Sequence, residues 1–181
     1  MIFAAAIPVG IVAGLLFGGR LEGLSALRFR WAPLAVGGLL AQVVLFSELA
    51  AGLNAGMVAL LYVATTAAVF VALLRNVRLT GLPIVAFGAL SNLAAIIGNG
   101  GIMPADAAAL AAAGLEPGTG PTNSAVLADP VLQPLTDVFA IPATVPLANV
   151  FSIGDVLIAT GLILAIVAAM RADRSIESDP G

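Results

Sequence analysis

The chain has 181 residues, of which 61% are hydrophobic and 9% charged, with a net charge of −3 and a mean hydropathy of +1.12. Soluble domains hold about 45–50% apolar and about 25% charged residues, so a soluble fold is excluded and a polytopic membrane protein is expected. Cysteine and histidine are absent, as is lysine, which removes thiolate, imidazole and Schiff-base chemistry along with the usual zinc, copper and haem ligands.

Residues 2–19 form an unbroken apolar run, about 27 Å long as a helix and just able to cross a bilayer core. With no basic residue before it and no polar cleavage site after it, the run reads as a retained first span and not as a secretory signal. Gly10, Gly14 and Gly18 form two overlapping GxxxG units on it, a flat stripe that lets another helix approach closely. That stripe serves packing within the chain or, alternatively, a homo-oligomer or partner subunit. Residues 20–31 mix Leu21, Leu24 and Leu27 with Arg28, Phe29, Arg30 and Trp31, a composition suited to the headgroup interface.

Further spans are predicted over 32–50, 56–74, 82–97 and 153–170. Their few polar groups, Gln42, Thr65, Thr66, Ser91, Asn92 and Thr160, do not ionise, so proton relays and voltage sensing lack their titratable side chains. Gln42 and Asn92 suit interhelical hydrogen bonds. The arginines lie in three places, at Arg20, Arg28 and Arg30, at Arg75 and Arg78, and at Arg171 and Arg174. Five spans put all of them on one side, which the positive-inside rule makes cytoplasmic; the N-terminus is then outside and the C-terminus inside. Six acids, Glu48, Asp106, Glu116, Asp129, Asp137 and Asp155, fall on the other side. A sixth span over 131–150 is rejected, because it would hold Pro134, Pro142, Pro146 and Asp137 and would export Arg171 and Arg174.

Residues 98–151 form the long outer segment, which carries most of the prolines and four of the six outer acids. Connections of this length are functional or disordered, and this one is too apolar for disorder; an ordered cap is expected. Gly98, Asn99, Gly100 and Gly101 end the fourth span, and Pro104 opens a short Ala-rich helix over 104–113, with Asp106 in its first turn and Gly114 as its stop. Residues 116–123 form a Pro/Gly/Thr loop and the mobile point of the cap. Ser152 and Asp155 have capping-box spacing at the start of the fifth span. The tail, 171–181, is polar and expected to be disordered.

The best site candidates are the outer amides, hydroxyls and acids Asn99, Asp129, Asp137, Asn149, Ser152 and Asp155. Such oxygens could hold a hard cation such as Ca²⁺, but no ligand signature is present, so no metal and no cofactor are expected. A serine nucleophile, Ser152 or Ser124, would have aspartate alone to activate it, which leaves an enzyme as the least supported reading and assigns no catalytic residue.

The runs 99–104, 135–142 and 149–155 resemble a family of small bacterial polytopic membrane proteins, domain of unknown function 5317. The resemblance rests on about residues 98–161, implies a bacterial envelope protein, and brings no activity or catalytic residues with it. The expected fold is therefore all-α: a five-span transmembrane helical bundle with a Pro-rich extracytoplasmic cap holding one short helix. Its segments are 1–97 (four spans), 98–151 (cap), 152–170 (fifth span) and 171–181 (cytoplasmic tail). The expected function is a structural or accessory, partner-binding subunit in the bacterial cytoplasmic membrane. Its expected contacts are membrane lipids and a protein partner or second copy met through Gly10, Gly14, Gly18 or the cap, with no nucleic acid. The alternative is an oligomeric transporter of a small solute or lipid.

Overall fold

The computed structural model describes residues 2–116 and 124–172. The chain is mostly helical, with α1 (Ile2–Leu16), α2 (Glu22–Ser25), α3 (Ala32–Leu45), α4 (Ala55–Leu74), α5 (Leu82–Gly98), α6 (Ala107–Ala112) and α7 (Ile153–Ala172). Two of these, α4 and α7, are long and apolar enough to cross a membrane; α1, α3 and α5 are shorter apolar helices. Four two- or three-residue strands, β1 (Met103–Pro104), β2 (Ser124–Ala125), β3 (Phe139–Ile141) and β4 (Asn149–Phe151), lie between α5 and α7. No pattern in the sequence announces them. The tail beyond Ala172 and the loop over 117–123 lie outside the described residues.

Helix α7 is central, with α1 on one side and α5 on the other; α4 packs on α5, and α3 on α4. Glycine sets two close contacts between α5 and α7. On α5, a Cβ added at Gly88 would lie 2.5 Å from the Gly154 carbonyl and 3.0 Å from the Ile158 nitrogen. On α7, one at Gly161 would lie 2.7 Å from the Gly81 carbonyl and 2.6 Å from Val85 Cγ2. Backbones meet here without side chains between them, the small-residue packing that serves helices lacking a hydrophobic drive to associate. Gly10 and Gly14 meet Ile163, Ile166 and Met170 of α7, so this pair of helices runs in the same direction. Gly18 lies past the end of α1 at φ 74°, in the turn where Gly19 N–H donates to Gly14 O (2.8 Å) and Arg20 N–H to Met170 O (2.7 Å). The stripe expected over three glycines is thus a helical face at Gly10 and Gly14 and a left-handed stop at Gly18, which glycine adopts without steric cost.

The helices end where local chemistry stops them. α3 closes at Leu45, short of residue 50, because Ser47 accepts from Leu49 N–H (3.3 Å) and starts a 3₁₀ turn over Glu48–Ala50. Asn54 caps α4 through Met57 N–H (2.9 Å). At the other end of α4, the amide of Asn76 donates to Ala72 O and Arg30 O and accepts from Arg30 N–H, each at 2.7 Å. This buried side chain ties the 26–31 loop to α4 as a strand neighbour would. Arg75 lies 4.8 Å over the Trp31 ring, a cation–π distance.

Between α5 and α7 the chain folds over the bundle end opposite those arginines. β1 pairs in parallel with β2, and β3 with β4 antiparallel. The predicted helix over 104–113 is shorter than expected, 107–112. Pro104 O accepts Asp137 N–H (2.9 Å), and Asp137 O accepts Asp106 N–H (3.0 Å), which keeps 104–106 extended; Asp106 then caps α6 through Ala109 N–H (2.9 Å). Ala105, Ala109, Leu110, Ala113 and Val150 form a small core of their own, and Phe139 stacks on Phe151 at 5.5 Å. Residues 131–150 hold a 3₁₀ turn (Gln133–Leu135) and the β3–β4 strands instead of a long helix.

The helices leave much of their apolar surface uncovered. Val12, Leu16, Leu40, Val43, Leu60 and Phe87 are each more than half exposed.

Candidate functional site

The spacing of Ser152 and Asp155 predicts a capping box at the start of α7, and the geometry there is reciprocal. Asp155 N–H donates to Ser152 Oγ, and Ser152 N–H donates to Asp155 Oδ2, both at 3.1 Å. A third residue, Asn92 of α5, closes the cluster: its Nδ2 donates to Asp155 Oδ1 (2.7 Å), and its Oδ1 accepts from Ser152 Oγ (2.9 Å). Ser152 is fully buried. Two expected site residues therefore meet a polar residue that the sequence placed inside a span. The contact exists because Gly154 presents no side chain where Asn92 lies. Ser91, beside Asn92 on α5, has a buried hydroxyl with no hydrogen-bond partner.

Below this cluster, a cavity of about 160 Å³ opens between four helices. α3 supplies Leu39 and Gln42, α4 supplies Tyr62, Thr66 and Val69, α5 supplies Ala89, Asn92 and Ile96, and α7 supplies Asp155 and Ile158. Gln42 Nε2 donates to Thr66 Oγ1 (3.1 Å), whose own proton goes to Tyr62 O (2.7 Å). Tyr62 is buried and meets Phe46 edge to face at 4.9 Å. Among the described residues, the cavity wall holds one carboxylate and no arginine.

The remaining candidates stand apart. Asn99 follows α5, and its Nδ2 donates to Ala95 O and Val131 O while its Oδ1 accepts Val131 N–H, all at 2.8 Å. It clamps the cap to the end of α5 as Asn76 clamps the opposite loop. Asn99→Ala should cost about 0.5–1.5 kcal/mol, the net worth of a typical intramolecular hydrogen bond, because the Val131 peptide groups are exposed and water can take the place of the amide. The loss should appear as earlier proteolysis of the cap with little change in the melting of the helices; equal protection in both proteins would disprove the clamp. Asp137 is buried and joins β1 through its backbone. Asp129 is exposed in a bend, and Asn149 opens β4 opposite Ile141. Among the described residues no three His, Cys, Asp or Glu side chains converge as a metal site would require. The side chain of Ser124 lies outside the described residues.

Sequence reasoning missed two things. The role of Asn76 had a signal, an amide just beyond a helix end. The cavity had a partial one, the amides and hydroxyl of Gln42, Asn92 and Thr66 inside spans, but its lining is drawn from four helices at spacings that say nothing of one another.

The model of a family of unknown function, DUF5317, matches residues 26–167. That range reaches back through α3 and α4, well beyond the 98–161 stretch that carries the resemblance in sequence. No curated protein and no solved structure matches the chain.

Proposed function

As the chain belongs to the DUF5317 family, whose function is unknown, we propose from its own chemistry that it is a polytopic protein of the bacterial cytoplasmic membrane, acting as a structural or accessory subunit that binds a partner. One observation carries the membrane part. The apolar windows of α4 and α7 are 17% and 28% buried inside the protein, whereas the core helix of a soluble protein is covered by its neighbours. An exposed apolar surface of this extent needs a solvent of lipid or an extensive partner.

In this reading α1, α3, α4, α5 and α7 are the five spans. Residues 1–97 hold the first four, 98–151 the extracytoplasmic cap, 152–170 the fifth and 171–181 the cytoplasmic tail. The 14-residue α3 covers only about 21 Å, so its interfacial flanks, Trp31 and the Ser47–Ala50 turn, and local bilayer thinning make up the difference. Support for the orientation comes from the helix ends that meet each other, since Arg20 backs onto Met170 and Arg30 onto Asn76. The arginine-bearing loops share one end, and the cap lies at the other.

The partner-binding part rests on the cap, which has its own small core and still exposes Val126, Val131, Phe139, Val145 and Leu147. Gly10 and Gly14 are occupied by α7, which favours the cap over the glycine stripe as the contact face. The protein should stay with membranes through alkaline carbonate extraction. A C-terminal fluorescent-protein fusion should glow, and an alkaline phosphatase fusion at the same point should be silent; the opposite pair would invert the orientation. Repeated purification in mild detergent as a lone monomer would remove the partner. The cavity beneath Asp155 favours a second reading, an oligomeric carrier of a small solute, which liposome flux equal to that of empty vesicles would end.

A further inference from the structure

We infer that the cavity between α3, α4, α5 and α7 is a binding site for a small organic cation, a primary ammonium with a short apolar body. The inference deepens the carrier reading by naming a ligand class, but it concerns binding alone and needs only the folded bundle.

Hydrogen-bond direction carries the first step. Thr66 must give its proton to Tyr62 O, because a carbonyl cannot donate. Its oxygen therefore accepts from Gln42, which fixes the Gln42 amide with Nε2 toward Thr66 and leaves Oε1 as an acceptor. The same logic orients Asn92: Asp155 Oδ1 demands Nδ2, and Oδ1 takes the Ser152 proton. Each carboxylate oxygen of Asp155 receives one bond and can accept a second. Lone pairs on Gln42, Asn92 and Asp155 thus outnumber the amide N–H groups left over. An ammonium, with three donors and no acceptor, is the complement of such a set.

Charge carries the second step. Among the described residues, Asp155 is the one ionisable carboxylate on the wall, and no arginine joins it. The first turn of α7 offsets part of its charge through the helix dipole, but that partial charge amounts to about half an elementary unit. The Asp155 carboxylate, set on a mostly apolar wall, is the group there that a cationic ligand would pair with.

Shape selects among cations. Calcium takes six to eight oxygen ligands, more than one carboxylate and two amides offer, and Leu39, Val69, Ala89, Ile96 and Ile158 give nothing to a hydrated ion. They suit an apolar body. The volume of about 160 Å³ is close to that of a cavity known to hold benzene, about 150 Å³, so the whole ligand, ammonium included, should have about five or six heavy atoms.

The test is calorimetric titration of the full chain in mild detergent with n-butylammonium chloride, with 1-butanol as the uncharged match and sodium chloride as the bare-ion control. Butylammonium should bind, with 1-butanol at least tenfold weaker and 0.15 M sodium chloride displacing little of it. Asp155→Asn should weaken butylammonium at least tenfold while leaving 1-butanol unchanged. Should that variant not fold, Leu39→Trp fills the cavity from a half-exposed position without touching the polar cluster and should abolish binding of both. Equal binding of the amine and the alcohol would reduce the site to an apolar void and overturn the inference. So would binding that survives both substitutions, binding of sodium in place of the amine, or no binding at all. Binding without flux in liposomes would end the carrier reading and leave the site standing.

Discussion

Gly154→Leu is expected to abolish the folded protein. A Cβ at this position falls on the Asn92 side chain and lies 2.8 Å from the Gly88 carbonyl, so neither a rotamer change nor a small side-chain shift can make room. The α5 and α7 backbones would have to separate. Separation would also break the two hydrogen bonds that Asn92 makes to Ser152 and Asp155 and open the Gly81–Gly161 contact further along the same seam. Overpacking a tight core costs about 1–3 kcal/mol, and each buried polar group stranded about 1–3 kcal/mol more. With several groups stranded at once, the loss takes most of the stability of an ordinary domain, about 5–15 kcal/mol. In detergent the variant should run as aggregate on size exclusion. Gly37→Leu and Gly52→Leu are the matched controls, because an added Cβ there meets nothing within 4 Å, and both should elute and melt as the parent does. A Gly154→Leu protein as monodisperse and heat-stable as the Gly37→Leu one would mean that α5 and α7 do not touch as described.

The sequence made some of this legible and hid the rest, for physical reasons. Length and hydropathy place the five apolar helices to within five residues at each end, because a long apolar run bounded by Gly, Pro or charge reads as one helix. Ser152 and Asp155 could be read as a cap because both members lie within one turn, where spacing fixes geometry. Asn92 could not be joined to them, since its contact depends on two helices that are separate in sequence and on the absence of a side chain at Gly154. The cap exposes the same limit. Its prolines and apolar residues announce order, yet the pairing of Pro104 with Asp137 is a long-range backbone match, and runs of two or three residues carry no period from which a strand can be read. Gly10 and Gly14 were visible as a close-packing face, while the occupant of that face, α7, was not.

Asn92→Leu should destabilise the bundle by about 2–4 kcal/mol and, unlike Gly154→Leu, leave it folded. Leucine is close to asparagine in bulk and suits an apolar helix, so the loss is one of hydrogen bonding. Interhelical bonds between membrane helices average about 0.6 kcal/mol, with a maximum near 1.7, and Asn92 makes two, one of them to a carboxylate. Most of the destabilisation comes from what is left behind. Ser152 is wholly buried, and its hydroxyl would lose its acceptor, at about 1–3 kcal/mol. Ser152→Ala removes that orphan together with the cap on Asp155 N–H, so the double variant Asn92→Leu with Ser152→Ala should lose less than the sum of the two single losses. Thermal unfolding of the four proteins in one detergent forms the cycle that measures this. Strict additivity would mean that Asn92 and Ser152 act independently and that no shared network joins α5 to the start of α7. A double loss smaller than that sum would identify the cluster as a structural latch whose parts are needed together, with Asp155 held by it at the head of the cavity.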